Sequence, residues 1–498
     1  MQLFQNEFLE GLLSDAGGWL WSWILLPVVA FVGLYFTIRS GAVQLRMIPN
    51  MIKTLSDKAL IGPDGKPKSI SAFQAFTISA ASRVGTGNVA GVATAIAIGG
   101  PGAIFWMWTM AFIGGASSFV ESTLGQLYKE KRPDGYVGGP AYYMQKGLNA
   151  RWLGIIFSII LIICFPLAFS SLQANTIAQA VSGAAGTDDP SLMVTIAIVL
   201  AVLTALVVFG GIRRIAHVSQ ALVPSMALLY ILLGIVVVVM NFSELPRVIG
   251  LIFSEAFNFN SAIGGGLGAV IMQGVKRGMF SNEAGLGSAP NAGASAAVTH
   301  PAKQGLVQTL GVYFDTFIIC SVTAFIILVA VPDPVGEAQG IVLTQNALTE
   351  SLGAWSSILL AVIILLLAFS SIIGNYYYGE ANIAFMTKNP AVMVAYRTFA
   401  TAAVLLGSLA TVNVVWNFAD GIMGLMALVN LIAIFALGGV AMKLLKHYAA
   451  QAKRGEDPVF VASDMPELRG VTAWSREDVT THEINVQRIN QMRKDLGN

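Results

Sequence analysis

Long stretches of apolar residues follow one another along most of the chain, and short polar or glycine-containing segments separate them. A membrane-spanning helix needs about 20 mostly apolar residues. Residues 19–38 form one such run, and residues 84–120 form a longer one that a Gly-Gly-Pro-Gly turn at 99–102 divides in two. Further runs lie at 153–181, 191–212, 218–240, 261–298, 304–331, 353–386, 392–413 and 416–442. With a helix that begins near Ser71, they predict about eleven spans and an all-α integral membrane protein.

The run at 261–298 is too long and too polar for one plain span. It contains Lys276, Arg277, Glu283 and Pro290 together with several glycines. This composition predicts two half-helices joined by irregular backbone. Such backbone is tolerated at membrane depth only where protein or a water-filled cavity satisfies its N–H and C=O groups.

Parts of the chain recur at an offset of 200 residues. Leu-Ala-Phe-Ser-Ser occurs at 167–171 and at 367–371, and Gly-Thr-Gly-Asn at 85–88 is matched by Gly-Leu-Gly-Ser at 285–288. Without the first helix, ten core helices form two sets of five. Because five is odd, the second set enters the membrane from the opposite side, as in many secondary transporters. The alternative is that these small residues only let helices pack closely.

The repeat predicts the organisation of the chain. Residues 1–40 carry an extra N-terminal transmembrane helix, residues 71–240 form the first inverted repeat, residues 261–447 form the second, and residues 448–498 form a cytoplasmic tail. The tail is polar from about Lys443 onwards. We expect it to be a short surface helix or a disordered, solubilising appendage.

Composition and charge exclude several classes of protein. The chain is 55% hydrophobic and 11% charged, whereas soluble domains carry about 25% charged residues. A formal net charge of +2 argues against nucleic-acid binding. The sequence has no phosphate-binding loop of the ATPase type, no nucleophile–base pair and no metal-binding cluster. We therefore expect neither an enzyme nor a cofactor, and no obligate protein partner.

The distribution of basic residues predicts the orientation. Loops at 39–68, 129–151, 213–214 and 388 are rich in Lys and Arg, whereas the opposite loops near 99–102, 182–190, 241–260 and 332–352 carry only Arg247. Basic loops stay in the cytoplasm. The pattern places the N-terminus outside and the C-terminus in the cytoplasm, in a plasma membrane of the bacterial inner-membrane type.

The breaks suggest a chemistry. A broken helix exposes N–H groups that attract a carboxylate and carbonyl groups that coordinate a small cation. An amino acid together with Na⁺ fits both. Thr86, Gly87 and Asn88 lie at the first break, and Ser370 and Ser371 on core helix eight offer hydroxyl oxygens. Alternatively, these hydroxyls bond back to carbonyls of their own helix.

Ionisable residues within spans are costly and usually functional. Arg83 and Glu283 occupy equivalent repeat positions with opposite charge, which predicts a charge pair between the repeats. Asp315, followed by Thr316, is a candidate ligand for a second cation. Glu121 is expected near the cytoplasmic end in a structural role. Whether Lys276 and Arg277 face a cavity or mark the cytoplasmic mouth stays open.

Four stretches resemble the alanine or glycine:cation symporter family, also called sodium:alanine symporters. They are RVGTGNVAGVA at 83–93, GGPGAIFWMW at 99–108, QGVKRGMFSNEAGLGSAPNA at 273–292 and AFSSIIGNYYYGEAN at 368–382. The resemblance implies a LeuT-type five-plus-five inverted repeat with two discontinuous helices. It also implies alternating-access symport of Na⁺ with a small neutral amino acid, alanine or glycine. Proton coupling through Glu121, Glu283 or Asp315 is the rival mechanism, and an ion channel is the rival class.

The resemblance also implies a set of site residues. The substrate would contact Thr86–Asn88 on core helix one, Phe169 or Phe165 on core helix three, Ser371 and Asn375 on core helix eight, and Gln273, Gly274 and Asn282 on core helix six. Sodium would lie between the backbone of Ala81 and Val84 and the hydroxyls of Ser370 and Ser371. Asn88, Asp315 and Thr316 would serve a second ion. Some members carry tryptophan where this chain has Asn375, which leaves more room here.

Overall fold

The computed structural model describes residues 7–58, 69–133, 135–187, 189–210, 212–257, 266–337 and 340–474. Residues 261–265, at the predicted start of the second repeat, and the predicted tail beyond Trp474 lie outside the described residues.

The described chain is almost entirely helical. The helices of its first half are α1 (Glu7–Leu20), α2 (Leu26–Arg39), α3 (Val43–Arg46), α4 (Ile48–Leu55), α5 (Ala72–Arg83), α6 (Val92–Gly99), α7 (Ala103–Leu127), α8 (Pro140–Gly147), α9 (Arg151–Ile162), α10 (Ser170–Ala185), α11 (Pro190–Val208), α12 (Ile212–Met240) and α13 (Leu245–Glu255). The helices of its second half are α14 (Gly266–Asn282), α15 (Ala289–Gly293), α16 (Pro301–Tyr313), α17 (Ser321–Ala330), α18 (Ile341–Leu352), α19 (Trp355–Met386), α20 (Pro390–Ser408) and α21 (Val412–Lys453).

Shorter elements connect these helices. Strands β1 (Glu130–Arg132) and β2 (Gly135–Val137) form an antiparallel hairpin after α7. The π-helical turns are Trp21–Leu25, Gly87–Gly91, Ile163–Phe169 and Phe314–Cys320, and the 3₁₀ turns are Phe242–Glu244 and Ala462–Asp464.

Burial distinguishes central helices from peripheral ones. Within the part of the chain that the structure describes, nine helices are long and apolar enough to cross a membrane. The most apolar window of α7 is 72% buried, whereas that of α11 is only 22% buried. Helix α7 is therefore central, and α11 presents most of its apolar surface outwards, as a lipid-facing helix does. The predicted all-α membrane architecture is confirmed, while the total of about eleven spans remains a prediction.

Two helical segments are interrupted by non-helical backbone, and both breaks fall where the sequence predicts them. The first broken segment comprises α5, the π-helical turn Gly87–Gly91 and α6. Helix α5 starts at a capping box formed by Ser71 and Gln74 and ends where Val84 is extended, with φ −80° and ψ 91°. The second broken segment comprises α14 and α15. Its backbone leaves the helix at residues 283–288, where Glu283, Gly285 and Gly287 have φ of +57°, +84° and +79°.

The described part of the C-terminal tail is packed against the helices, contrary to the expected appendage. Helix α21 runs without interruption to Lys453, past the predicted repeat boundary at residue 447. Phe460 and Trp474 in the following segment are both 0% exposed. Two large aromatic side chains in an otherwise polar tail gain enough from burial to hold it against the protein.

Candidate substrate and cation site

The two breaks lie against each other in the middle of the helix bundle. A Cβ atom on Gly87 would lie 2.9 Å from the ring of Phe280 and 3.2 Å from the Cα of Ser281 on α14. A Cβ atom on Gly85 would lie 2.2 Å from the Oγ of Ser371 on α19. At Gly87 only a hydrogen atom fits, because the neighbours are an aromatic ring and backbone, whereas at Gly85 the neighbours are the ends of side chains that can move.

Neutral side-chain amides satisfy the N–H groups of the first break. The amide N–H of Gly85 donates to Asn88 Oδ1 at 2.9 Å, and that of Thr86 donates to Gln173 Oε1 at 2.9 Å. Gln173 lies on α10 and is not among the predicted site residues. The available signal was an amide side chain within an apolar helix, two residues after the repeated Leu-Ala-Phe-Ser-Ser.

A carboxylate satisfies the N–H groups of the second break. Glu121 on α7 accepts from the amides of Gly285 at 3.2 Å and Gly287 at 3.1 Å. Asn430 on α21 donates to the same carboxylate at 2.7 Å and accepts a hydrogen bond from Tyr143. Successive backbone N–H groups that converge on one anion form a nest. Glu121 is fully buried, six residues before the end of α7, and its expected place near the cytoplasmic end stays a prediction.

The predicted charge pair between Arg83 and Glu283 is not a direct contact in this structure. The two carboxylate oxygens of Glu283 accept from the hydroxyls of Ser82 and Ser288, both at 2.6 Å. Arg83 donates instead to the carbonyl of Gln308 at 3.2 Å, and the ion pairs among the described residues include none between Arg83 and Glu283. Consecutive residues of a helix point about 100° apart, so Ser82 faces the second break while Arg83 faces α16.

Four predicted sodium ligands come together between α5 and α19. Ser370 Oγ lies 3.5 Å from the carbonyl oxygen of Ala81, and Ser371 Oγ lies 3.4 Å from that of Val84. The same hydroxyls lie 2.8 and 3.1 Å from the carbonyl of Leu367. Each hydroxyl has one proton for the closer carbonyl of its own helix, which leaves lone pairs towards α5. The two interpretations of these serines are therefore compatible.

A second polar cluster surrounds Asp315, which is 0% exposed. Its carboxylate accepts from Asn88 Nδ2 at 2.6 Å, Ser281 Oγ at 2.7 Å and Thr316 Oγ1 at 3.1 Å. Asn282 Nδ2 donates to Thr316 Oγ1 at 3.1 Å. The structure thus brings Asn88, Asp315, Thr316 and Asn282 together beside both breaks. Ser281 was missed because it stands in the same motif without a charge to mark it.

An aromatic layer covers one side of the breaks. The ring centroid of Phe280 lies 4.6 Å from that of Phe169 and 5.3 Å from that of Trp416. Phe169 also packs on Phe165 at 4.7 Å. Both phenylalanines proposed as pocket walls therefore belong to one layer. Phe280 is its central member, which sequence reasoning missed.

An ion-paired cluster adjoins this layer. Arg277 donates two hydrogen bonds of 2.9 Å to the carboxylate of Asp420, and Lys276 Nζ lies 2.9 Å from the same group. The guanidinium of Arg277 lies 4.3 Å from the ring centroid of Trp416. Lys276 and Arg277 thus join α14 to α21, a role that the sequence left open.

Of the remaining predicted pocket residues, Asn375 lies beside the second break, whereas Gln273 and Gly274 lie farther back along α14. Asn375 Oδ1 lies 2.7 Å from the Oγ of Ser82, the hydroxyl that donates to Glu283, and so belongs to the Glu283 network. A Cβ atom on Gly274 would lie 2.5 Å from the carbonyl oxygen of Ala103, and Gln273 packs on Gly99. Gln273 and Gly274 thus contact the start of α7, about 12 Å along α14 from its end at a rise of 1.5 Å per residue.

Two broken helices with facing breaks, lined by buried carboxylates, amides and hydroxyls, define a secondary transporter rather than an enzyme. The sodium:alanine symporter family matches residues 6–462, and the chain belongs to this family. It is 50% identical over 472 residues to the amino-acid carrier protein AlsT of Bacillus subtilis, covering 95% of this chain and 99% of AlsT. It is 47% identical to the probable sodium/glutamine symporter GlnT of the same species, covering 97% and 99%.

A solved structure supports the fold. The crystal structure of MhsT in complex with L-phenylalanine superposes with a TM-score of 0.52 and 13% identity, and the match covers 78% of this chain and 99% of MhsT. This likeness concerns the LeuT-type fold alone.

Proposed function

We propose that this protein carries a small neutral amino acid, alanine or glycine, into the cell together with Na⁺ by alternating access. The observation that carries the proposal is that two hydroxyls of α19 face two carbonyls at the end of α5, with 3.5 Å between the oxygens of one pair and 3.4 Å between those of the other. Neighbouring ligands of a six-coordinate hard cation, each about 2.4 Å from it, lie about 3.4 Å apart. These spacings suit Na⁺ without large movement.

The charge balance around the breaks supports a cationic passenger. Glu121, Glu283 and Asp315 are buried carboxylates, and Arg83 is the buried guanidinium near them. Buried charge without compensation is costly in a membrane protein. Na⁺ at the hydroxyl site together with a second Na⁺ at Asp315 and Thr316 would supply the missing positive charge, because a zwitterionic amino acid adds no net charge.

The first break is the proposed contact for the substrate carboxylate. Its amide N–H groups are held by the neutral side chains of Asn88 and Gln173, which a carboxylate can replace with a charge-assisted bond about twice as strong. The N–H groups of the second break already bind Glu121. The substrate would thus bind beside Thr86 and Gly87, under Phe169 and Phe280.

Glutamine is a second candidate substrate. The probable sodium/glutamine symporter GlnT is 47% identical to this chain over nearly its full length, and Asn375 is a polar residue near the second break, smaller than the tryptophan of some family members.

The Na⁺ gradient and the membrane potential would drive uptake. The membrane potential adds about 2.3 kcal/mol per charge per 100 mV to the Na⁺ gradient. Either substrate could therefore be accumulated without ATP.

Uptake of labelled alanine into proteoliposomes tests the proposal. We expect uptake with an inward Na⁺ gradient and none when choline replaces Na⁺. Unlabelled glycine and glutamine added in turn rank the substrates by competition. Uptake that persists without Na⁺ and collapses with a protonophore would replace sodium coupling by proton coupling. Flux that does not saturate with substrate would favour a channel.

A further inference from the structure

Residues 294–300, which we call the closing loop, join the ends of the two broken segments. The closing loop follows α15. The amide of Ala297 donates to the carbonyl of Ile70 at 3.0 Å, and Ser69 Oγ donates to the carbonyl of Ser295 at 2.6 Å. Ile70 stands two residues before α5. On the predicted cytoplasmic side, this loop therefore holds the start of the first broken segment against the end of the second.

Residues 457–474, which we call the strap, lie over the closing loop. The amide of Phe460 donates to the carbonyl of Thr299 at 2.9 Å, and Thr299 Oγ1 donates to the carbonyl of Pro458 at 2.8 Å. Trp474 Nε1 donates to the carbonyl of Gln126 at 3.3 Å. Gln126 in turn donates to the carbonyls of Gly293 and Ala296 at 2.8 Å. The strap thus contacts the loop directly and through the end of α7.

Lys303 joins the strap to the region that leads into the first broken segment. Its Nζ lies 2.7 Å from Asp57 Oδ2 and 2.7 Å from Asp457 Oδ1. The Lys303 side chain is 2% exposed and that of Asp457 is 9% exposed. Asp57 lies just beyond α4, in the stretch that precedes α5. Asp57, at 33% exposed, is the accessible partner. Because Lys303 and Asp457 are buried, breaking their pair leaves a buried charge with less compensation, which is destabilising.

The other side of the strap is held by α21. Gln451 Nε2 donates to the carbonyl of Val459 at 2.8 Å, and the amide of Val459 donates to Gln451 Oε1 at 3.0 Å.

Burial, with nearby His447 and Lys303, lowers the pKa of His300 in the closing loop well below its usual value. His300 is therefore neutral at pH 7, and Lys303 supplies the positive charge that holds Asp457.

We propose that the strap holds the cytoplasmic end of the transport pathway closed, with Lys303 and Asp457 as its positioning residues. The proposal rests on the alternating-access function proposed above. In that mechanism the closing loop and Ile70 must separate once per cycle. The strap binds the loop in its closed position, so it favours the closed state and slows inward release. A ligand or contact that acts on two states shifts the equilibrium only by its differential affinity for them.

The test compares two acid-to-amide substitutions in the strap. Asp457→Asn removes a charge from the buried pair with Lys303. Glu467→Gln removes a charge from an exposed pair with Lys443, in which both side chains are more than 50% exposed. Each is combined with Ala297→Cys, whose labelling by a membrane-impermeant maleimide is followed in inside-out vesicles. Background labelling is low because the native Cys164 and Cys320 are buried.

We expect Asp457→Asn to speed the labelling of the introduced cysteine at least about tenfold, since a buried ion pair is broken, and Glu467→Gln to leave it unchanged. Equal labelling rates in both variants and the parent would overturn the proposal. Trp474→Phe keeps an aromatic ring at this position but loses the bond to Gln126, and a rise of about twofold is expected from one lost hydrogen bond. This variant keeps the test decisive if Asp457→Asn does not fold.

Uptake measurements separate this proposal from the proposed function. If the parent protein takes up alanine with Na⁺, Asp457→Asn should raise the external KM by about threefold or more while Vmax stays the same or rises, because the outward-facing state is less populated. A purely structural role predicts a lower Vmax at constant KM and would overturn the strap. Absence of Na⁺-dependent uptake in the parent itself would contradict the proposed function instead.

Discussion

The two breaks occupy matching positions 200 residues apart, yet they differ in both backbone and charge. At the first break the chain turns through an extended Val84. At the second, Glu283, Gly285 and Gly287 all have positive φ. Neutral amides hold the N–H groups of the first break, and the carboxylate of Glu121 holds those of the second. A repeat in sequence can therefore place two anion-binding turns side by side and leave only one of them available.

This asymmetry gives each break a separate task. A nest that already contains a buried carboxylate is fixed, because removing that anion would expose both charge and backbone N–H groups. A break held by side-chain amides can exchange them for a substrate. We therefore expect the second break to act as the rigid partner and the first as the exchangeable one.

Placing a carboxylate at the first break should have the largest effect. Gln173→Glu would give the first break the kind of anion that Glu121 supplies to the second. Because it would repel the substrate carboxylate at close range in a buried site, we expect alanine affinity to fall at least about a hundredfold. Binding is measured by competition against labelled alanine. Gln179→Glu, on the same helix α10 and bonded to Asn175, is the matched control and should bind nearly normally.

Unchanged alanine affinity in Gln173→Glu would contradict the assignment of the substrate carboxylate to the first break. The same variant should still bind Na⁺, because Ser370 and Ala81 are untouched. Loss of both ligands together would point to misfolding rather than to competition.

Removing the carboxylate from the second break should have the next largest effect. In Glu121→Gln, the amides of Gly285 and Gly287 share one acceptor oxygen, because the NH₂ group that replaces the other oxygen cannot accept a hydrogen bond. Hydrogen bonds to charged groups contribute about 1.5–3 kcal/mol each, so we expect Vmax to fall about thirtyfold. Glu380→Gln on α19, whose side chain is 19% exposed beside Arg397, is the control and should retain most activity. Near-normal transport by Glu121→Gln would show that the second break is not held by this charge.

The sequence reveals the breaks because glycines and charges interrupt apolar runs, and a hydrophobic pattern registers such interruptions directly. It also places Ser370 and Ser371 opposite Ala81 and Val84, through the resemblance to the family. It does not reveal which way a side chain points. Arg83 and Glu283 match in the repeat, but the 100° step of a helix turns Ser82 rather than Arg83 towards the second break.

The contacts that the sequence does not predict are mainly those between segments that lie far apart along the chain. Gln173, Glu121 and the strap are defined by partners 87, 164 and 348 residues away, and no local pattern encodes such separations. The motif at 273–292 places Gln273 in the predicted pocket because Gln273 is its first residue. In the structure it lies about two helical turns from the break. Residues of one motif can lie far apart when the motif runs along a helix.

The smallest effect we expect comes from adding one methyl group at the first break. In Gly85→Ala the new Cβ would lie 2.2 Å from Ser371 Oγ and 2.9 Å from Gln173 Oε1. The Ser371 side chain must rotate away from the carbonyl of Val84, so one cation ligand is lost. We expect the Na⁺ concentration for half-maximal uptake to rise about tenfold, which equals 1.4 kcal/mol, while Vmax at saturating Na⁺ changes little. Gly439→Ala on α21, where the added atom meets nothing within 4 Å, should behave like the parent. An unchanged Na⁺ dependence in Gly85→Ala would remove Ser371 from the cation site and leave the first break as a substrate contact only.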